Sequence, residues 1–315
     1  MDKKDKKILI ELIKNSRISF KQLGKKVGLS REVVAYRVNK FIEEKIITDF
    51  HSIINVGKLG YSRNGCWIQL KDLDEDKEME FYSFLKRHPF VTYAGSVVGK
   101  WNAAFDILSK DKENLKKTVI EITEEVGRHL QNIVVTNNSS QEEIYPTKIL
   151  GINEREKAVQ KDKKIRLDNI NKKVLELLSE NSRIGYVELS SKTNVSANTV
   201  KYRIRQLEKS GIIEGYTISI DITKLGYEFY NLQIKLGAVT NEHQIKSFLR
   251  SNPKVTYFYK YFGHENWDMD IGIIAENSRE LREIIADFRN NIGKIMIIHD
   301  IYHTLEIIKA NVAPK

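Results

Sequence analysis

One stretch of this chain occurs twice. Asn15-Ser16-Arg17-Ile18-Ser19 returns as Asn181-Ser182-Arg183-Ile184-Gly185, an offset of 166 residues, and the residues beyond it keep step. Leu29-Ser30 answers to Val195-Ser196, Val34 to Val200, Tyr36-Arg37-Val38 to Tyr202-Arg203-Ile204, and Phe41 to Leu207. Further on, Ile46-Ile47 answers to Ile212-Ile213 and Lys58-Leu59-Gly60-Tyr61 to Lys224-Leu225-Gly226-Tyr227. Self-similarity at one fixed offset means a head-to-tail duplication, and it decides the architecture before any local pattern does. In 315 residues it leaves two units, each long enough for two small domains.

Each unit opens with three helical patterns. After Asp2, an N-cap candidate, Ile8, Leu9, Leu12 and Ile13 recur at helical spacing. Ser19-Phe20-Lys21-Gln22 reads as a capping box, and the helix it starts turns Leu23 and Val27 inward and stops at Gly28. Ser30 then caps a third helix whose apolar stripe is Val34, Val38, Phe41 and Ile42. The last two helices, across a short Gly-containing turn, make a helix-turn-helix, and Ile46 to Ile54 suits a short hairpin, or wing. The series repeats from Asp168 to Ile220, with a weaker cap because Gly185 stands where Ser19 stood.

The remainder of each unit reads as β-α-β-β-α-β, the ferredoxin-like order. In the first copy these are Gly65–Lys71, Asp74–Arg87 (ended by Pro89), Phe90–Val98, Trp101–Ser109, Asn114–Gly127 and a strand from Asn132 into Tyr145. In the second they are Phe229–Leu236, Asn241–Arg250, Lys254–Phe262, Trp267–Ala275, Ser278–Asn291 and Lys294–Ile308. The expected boundaries are 1–55 and 60–147 for the first pair of domains, a charged connector over 148–165, then 166–221 and 226–315.

A formal net charge of +10 and a pI near 9.3 favour an anionic partner such as nucleic acid; the alternative is a lysine-rich composition that leaves many solvated lysines. No apolar run approaches the roughly 20 residues of a membrane helix. Met1-Asp2-Lys3-Lys4-Asp5 has no apolar stretch behind it that looks like a signal peptide, and the single cysteine, Cys66, has no internal disulfide partner. These points lead to the expectation of a cytoplasmic protein without a membrane partner.

The unit resembles the Lrp/AsnC family of transcription regulators. The first copy carries the resemblance in Asp2-x-x-Asp5-x-x-Ile8-Leu9-x-x-Leu12, Asn15 to Ser19, Leu23, Gly28-Leu29-Ser30 and Val34-x-x-Arg37-Val38-x-x-Phe41. It continues in Ile46-Ile47, Leu59-Gly60-Tyr61, Pro89-x-Val91 and Gly99. The second copy carries it in Leu167-Asp168, Asn171, Leu175, Val195-Ser196, Arg203, Leu207 and Gly211 to Tyr216. It continues there in Leu225-Gly226-Tyr227, Pro253-x-Val255 and Gly263. The resemblance implies an α+β fold, a tandem repeat of a winged helix-turn-helix plus a ferredoxin-like βαββαβ (RAM-type) domain. It implies double-stranded DNA as partner, a small-molecule effector such as an amino acid, assembly into a homo-oligomer, and no cofactor. Members usually have one unit per chain. Here Lys45 replaces the turn glycine that Gly211 keeps, and Asn102 stands where the family often has an acid. Gly263 to Asp268 is two residues longer than its counterpart when Trp101-Asn102 is matched to Trp267-Asp268.

In a helix-turn-helix the N-terminal part of the second helix meets base edges in the major groove. With the apolar stripe inward, the opposite face presents Arg31, Glu32, Ala35, Tyr36, Asn39 and Lys40 in the first copy, and Ala197, Asn198, Lys201, Tyr202, Arg205 and Gln206 in the second. Ser30 and Ser196, at the helix starts, join the DNA-facing set. Arg31 can bind guanine O6/N7 bidentately, Asn198 can pair with adenine N6/N7, and Glu32 can accept from cytosine N4 or simply repel the duplex. Arg37 and Arg203 read either as phosphate contacts or as salt bridges that pack the helix on its domain. Tyr36 and Tyr202 read either as sugar-phosphate contacts or as surface packing. Because Arg31-Glu32 and Ala197-Asn198 differ, the chain is expected to recognise two unlike half-sites.

The resemblance places an effector near Gly99, Trp101 and Asn102, and near Gly263, Trp267 and Asp268; the alternative is plain tight turns that need glycine. Two ferredoxin-like domains on one chain imply an internal pseudo-dimer in which two sheets bury strand faces against each other. The candidates are Trp67, Val91, Tyr93, Val97, Trp101 and Phe105 with Leu232, Val255, Tyr257, Tyr259 and Trp267, any of which can instead belong to its own domain's core.

No His-Glu-x-x-His motif and no phosphate-cradling glycine loop is present. His299 and His303 lie on a predicted strand, where four residues span about 13 Å, too far for one metal with bonds of about 2 Å. Cys66, on a strand, reads as packed. The expectation is therefore no enzyme, no catalytic residue and no metal site. The alternatives are a sirohaem-decarboxylase-like enzyme, which the same two-module fold resembles, and a sequence-tolerant architectural DNA-binding protein.

Overall fold

The computed structural model describes residues 1–136, 141–144, 146–151, 167–237, 242–261, 267–292 and 296–310. The chain begins with α1 (Lys3–Lys14), α2 (Phe20–Val27), α3 (Arg31–Glu43) and β1 (Ile47–Ile54). Then come β2 (Ser62–Leu70), α4 (Glu75–Arg87), β3 (Val91–Val98), β4 (Ala103–Ser109), α5 (Lys112–Val126), β5 (Leu130–Val135) and β6 (Gln141–Ile144). The second copy repeats the first group as α6 (Asn169–Glu180), α7 (Tyr186–Thr193), α8 (Ala197–Lys209) and β7 (Ile213–Ile220). It repeats the next as β8 (Glu228–Leu236), α9 (Glu242–Ser251), β9 (Val255–Lys260), β10 (Met269–Ala275), α10 (Ser278–Ile292) and β11 (Met296–Ala310).

Contacts divide the chain into two compact units, and neither is one repeat. Among the described residues, one holds Met1–Gly60 with the stretch from 167 to Leu225, the other the stretch from Tyr61 to 151 with Gly226–Ala310. The duplication runs along the chain, while the fold sorts the copies by module type.

In the first unit the helices start where their caps allow. Asp2 accepts from the backbone N–H of Lys4 and Asp5, Ser19 from Gln22, Ser30 from Val33, Asp168 from Asn171 and Ser196 from Thr199, whereas Gly185 offers α7 no side-chain cap. Ile8, Leu9, Leu12, Ile13, Leu23, Val27, Val34, Val38 and Phe41 are buried, as are their counterparts Val174, Leu175, Leu178, Leu189, Val200, Ile204 and Leu207. Ile42, expected inside, is 43% exposed, so the stripe of α3 ends at Phe41. After α3 the chain turns through the left-handed region at Lys45, with φ 56°, and after α8 it does so at Gly211, with φ 70°.

The expected wing hairpin does not form. β1 pairs instead with β7, antiparallel, from Ile47↔Ile220 to Ile54↔Ile213. Asn55 N donates to Ile212 O at 2.9 Å and Asp221 N to Ile46 O at 3.0 Å. The reason is local. After Ile54 the chain enters a 3-10 turn over Val56–Leu59 instead of a second strand, so the polar edge of β1 finds its partner in the other copy.

The repeated Asn-Ser-Arg string completes this seam. Ser16 N donates to Tyr216 O at 3.0 Å and Ser182 N to Phe50 O at 2.7 Å. The two serine hydroxyls meet at 2.6 Å. Arg183 Nη1 donates to Ser16 O at 2.6 Å and Ile18 O at 3.3 Å, and Arg17 Nη1 donates in turn to Ser182 O and, at 3.3 Å, to Ile184 O. The Arg17 guanidinium also lies over the rings of Tyr186 and Tyr216, and that of Arg183 over Phe20 and Phe50.

The second unit is one nine-stranded sheet in the order β5-β2-β4-β3-β11-β8-β10-β9-β6. Within each copy the order is fourth, first, third, second. The copies are stitched by exchange. β11 pairs with its own β8 over Met296–Thr304 and with β3 of the first copy over His303–Ala310. The single strand expected from Asn132 into Tyr145 is two: β5 lies on β2, and β6 crosses to β9 of the second copy. The first and last strands of the sheet, β5 and β6, are consecutive in the chain. The expected connector begins with a docked residue, since Lys148 is buried and its Nζ donates to Leu249 O at 3.2 Å and Asn252 O at 2.9 Å, at the end of α9.

Each copy keeps a core of its own, built around Phe81, Leu85, Phe105 and Ile122 in the first and Leu232, Leu249, Ile271 and Phe288 in the second. A third cluster joins Trp67, Val97, Trp101 and Ala104 to Tyr261, Trp267 and Tyr302. Trp67, Val97, Trp101, Tyr259 and Trp267 thus pack between the copies, while Val91, Phe105, Leu232 and Val255 serve their own domains. Inside this layer Trp67 Nε1 donates to Tyr302 Oη at 2.9 Å. Asp270 accepts from Tyr257 Oη at 2.6 Å and Tyr302 Oη at 3.0 Å. Burial pushes the Asp270 carboxyl up to about 6, against the downward pull of these hydroxyls.

Both seams are open to measurement. Arg183→Met removes charged hydrogen bonds worth about 1.5–3 kcal/mol, so urea unfolding should show a destabilisation of about 2 kcal/mol, with Arg205→Ala, on an exposed face, within about 0.5 kcal/mol of wild type. For Asp270, the folded carboxyl keeps its proton up to about pH 6, while the unfolded one releases it near 3.8. The folded state therefore binds more protons in that window, and stability falls as pH rises through it. Melting temperatures measured from pH 4 to 7 should show wild type losing stability relative to Asp270→Asn up to about pH 6 and no further change above.

Candidate nucleic-acid interface

The reading elements are α3 and α8, held in one unit by the β1–β7 ribbon and the arginine exchange. The first turn of each is fixed by its cap. Ser30 Oγ is taken by Val33 N and Ser196 Oγ by Thr199 N and Thr199 Oγ1. Arg31, Glu32, Tyr36, Asn39 and Lys40 are exposed on α3, and Asn198, Lys201, Tyr202 and Arg205 on α8. The two tyrosines are 68% and 63% exposed, so neither packs on the preceding helix. Backbone N–H and Ser30 hydroxyl donors at the start of α3 hold the Glu32 carboxyl below its usual range. Lys40 Nζ lies 3.7 Å from Glu44.

Of the two expectations for Arg37 and Arg203, the structure shows the salt bridge. Arg37 Nη1 reaches Asp2 at 2.6 Å and Asp5 at 2.8 Å. Arg203 Nη1 reaches Asp168 at 2.7 Å and Asn171 Oδ1 at 3.1 Å. Asp2 and Asp168 cap α1 and α6, so each arginine ties its recognition helix to the first helix of its module. The cap hydrogen bond from Asp5 N, then Arg37, hold the Asp2 carboxyl below its usual range.

The expected effector positions are occupied by structure. Trp101 and Trp267 are 1% and 0% exposed, with ring centroids 6.3 Å apart. Asn102 Oδ1 accepts from Leu70 N at 2.7 Å and Asp268 Oδ2 from Leu236 N at 2.6 Å. The matching bonds pin the start of β4 and of β10 to the end of β2 and of β8, which lines Trp101-Asn102 up with Trp267-Asp268. Gly99 has φ 138°, and a Cβ there would sit 3.1 Å from Ile301 O, so glycine is required by the approach of β11. Gly263 lies outside the described residues, as does the side chain of His299. The Cys66 thiol is buried and pushed well up by that burial. Among the described residues no group of three or more His, Cys, Asp or Glu is placed to hold a metal ion, and no helix is long and apolar enough to cross a membrane.

The residues that join the two modules were not singled out from sequence as functional. Ser16, Arg17, Ser182 and Arg183 belong to the most alike stretch of the two copies, yet they sit between helices and off every apolar stripe. Polar residues kept in both copies without a role in either module's core are the signal for a contact between copies.

Residues 1–48 and 167–214 both match a family model described as winged helix-turn-helix DNA-binding. An uncharacterized HTH-type transcriptional regulator of Pyrococcus furiosus is 34% identical over 115 residues, 36% of this chain and 75% of that protein. The HTH-type transcriptional regulator LrpA of Pyrococcus horikoshii is 31% identical over 130 residues, 41% of this chain and 88% of its own. Among solved structures, the sirohaem decarboxylase NirDL in complex with an iron-uroporphyrin III analogue covers 99% of this chain and 94% of its own with a TM-score of 0.63. Its sequence identity is 12%, so the likeness is one of fold. Two copies of the DNA-binding module, each followed by a ferredoxin-like domain, and regulators as relatives have one reading: the chain belongs to the Lrp/AsnC family of HTH-type transcriptional regulators, with the family's two-module unit present twice.

Proposed function

We propose that the chain is a sequence-specific, double-stranded-DNA-binding regulator that acts in the cytoplasm as an internal pseudo-dimer on an asymmetric operator. One observation carries the reading: the two helix-turn-helix modules form a single unit through reciprocal contacts, while the exposed residues of their recognition helices differ. A dimeric helix-turn-helix reads two half-sites set by the spacing of its helices, and unlike helices read unlike half-sites.

A second reading has the whole-chain fold likeness in its favour: a sirohaem-decarboxylase-like enzyme. The named regulators among the relatives weigh against it. A tetrapyrrole absorption band that persists on the protein after incubation with sirohaem and gel filtration, together with no duplex binding, would replace the first reading by the second.

Selection of sites from random duplex DNA should return two half-sites of different sequence; a perfect palindrome as the best site overturns the asymmetric operator. Arg31→Ala should weaken the selected site by about 1–3 kcal/mol, the worth of one bidentate base contact, with a smaller loss on random DNA. Equal losses on both would make Arg31 a phosphate contact.

A further inference from the structure

The recognition helices differ in more than their first turns. Within the exposed faces, the positions most directly opposite the buried stripe are 32, 35, 36, 39 and 43 in α3, and 198, 201, 202, 205 and 209 in α8. In α3 they carry Glu32, Ala35, Tyr36, Asn39 and Glu43; in α8 they carry Asn198, Lys201, Tyr202, Arg205 and Lys209. Only the tyrosine is shared. Both carboxylates of α3 are exposed, and so are all three cations of α8. Lys201, Arg205 and Lys209 follow one another at four-residue intervals, a stripe about 12 Å long on one side of the helix. The one acid beside that stripe, Glu208, is turned away to accept from Tyr216 Oη at 2.7 Å. In α3 the exposed Lys40 lies on the flank of the helix, 3.7 Å from Glu44, and its counterpart in α8 is Gln206. Nearer the start of the first module's reading helix are Lys21 and Lys25 on α2 and Arg31 at the first residue of α3. The counterparts of these three in the second module are Val187, Ser191 and Ala197, and Val187 is 80% exposed.

From this redistribution we infer that the two modules divide the work unequally, α8 holding the chain mainly to the phosphate backbone, so that its half-site is the looser of the two, and α3 deciding which sequence is accepted. The inference rests on the DNA-binding reading above and deepens it. A row of cations along α8 neutralises phosphates wherever a major groove is offered, because phosphate contacts carry no sequence information. α3 brings carboxylates to the same surface. Glu32 is repelled by any duplex that does not present a cytosine amino group to it, and Glu43 resists insertion of the helix along its length. Arg31 is then the side chain through which α3 engages only where a guanine meets its first turn. Affinity comes mainly from the second copy and discrimination from the first.

The test uses the full chain and two probes, the selected operator duplex and a random duplex of equal length, with binding followed by fluorescence anisotropy over a series of KCl concentrations. Lys201→Ala/Arg205→Ala/Lys209→Ala should weaken both probes by the same factor. It should also flatten the plot of log K against log salt by about 0.9 for each phosphate no longer neutralised, up to about 2.7 for three. Alanine at these exposed positions favours helix, and an unchanged melting temperature verifies the fold. Glu32→Gln should raise affinity for the random duplex more than for the operator. A triple variant whose salt slope equals wild type, or that loses only the operator, overturns the division of labour while leaving the regulator reading intact. A wild-type chain that binds neither duplex overturns both.

Discussion

A β-strand satisfies only half of its backbone polar groups along each edge, and here the edges left open by one copy are closed by the other. β1 has no hairpin partner in its own module and takes β7. β3, at the edge of the first ferredoxin-like set, takes the far end of β11, and β9, at the edge of the second, takes β6. The duplicated modules are therefore unfinished objects. Each exposes a row of unpaired N–H and C=O groups that would template association, and the other copy removes the hazard by occupying it. The arginine exchange follows the same logic at the helical end, where carbonyls of Ser16, Ile18, Ser182 and Ile184 accept from the opposite copy's guanidinium.

Duplication began with two identical surfaces, but the layer between the ferredoxin-like domains is no longer symmetric. Trp67 corresponds to Gln233, Ala104 to Asp270 and Thr136 to Tyr302. Each substitution is answered across the seam. Trp101 Nε1 donates to Gln233 Oε1 at 3.4 Å, whereas its counterpart Trp267 meets the Trp67 ring edge-on at 5.0 Å. Tyr302 both receives the indole N–H of Trp67 and donates to Asp270. A carboxylate buried in an aromatic layer is destabilising unless hydrogen bonds satisfy it, so Asp270 is tolerated only beside Tyr257 and Tyr302. Two second copies placed face to face would bring two such carboxylates into one dry layer.

Much of this was legible from residue pattern. The caps Asp2, Ser19, Ser30, Asp168 and Ser196 announce their helices because a side-chain acceptor beside orphan N–H groups is a local matter. The ferredoxin-like order follows from alternation and turn residues, which are also local. Pairing between copies was not legible. Strand alternation says that Ile47–Ile54 needs a partner and is silent on which one, and no pattern distinguishes a final strand that stays on its own sheet from one that crosses halfway along. The arginines divided along the same line. For Arg37 and Arg203 the pattern leaves phosphate contact and salt bridge both open, and only the position of the α1 and α6 caps shows the ion pairs. The aromatic residues at the β4 and β10 starts resembled ligand contacts because burial cannot be read from identity alone.

The arginine seam and the β1–β7 ribbon bear on gene dosage. A regulator assembled from separate subunits must first find its partner, so occupied operator rises with the square of chain concentration when subunits are scarce, and dilution dissolves the reader. Here the partner is tethered, at an effective concentration that growth, division or low expression cannot change. On the DNA-binding reading proposed above, a chain that binds singly would occupy its operator in proportion to chain number, and its two unlike helices would stay paired with each other and not with an identical half from another molecule.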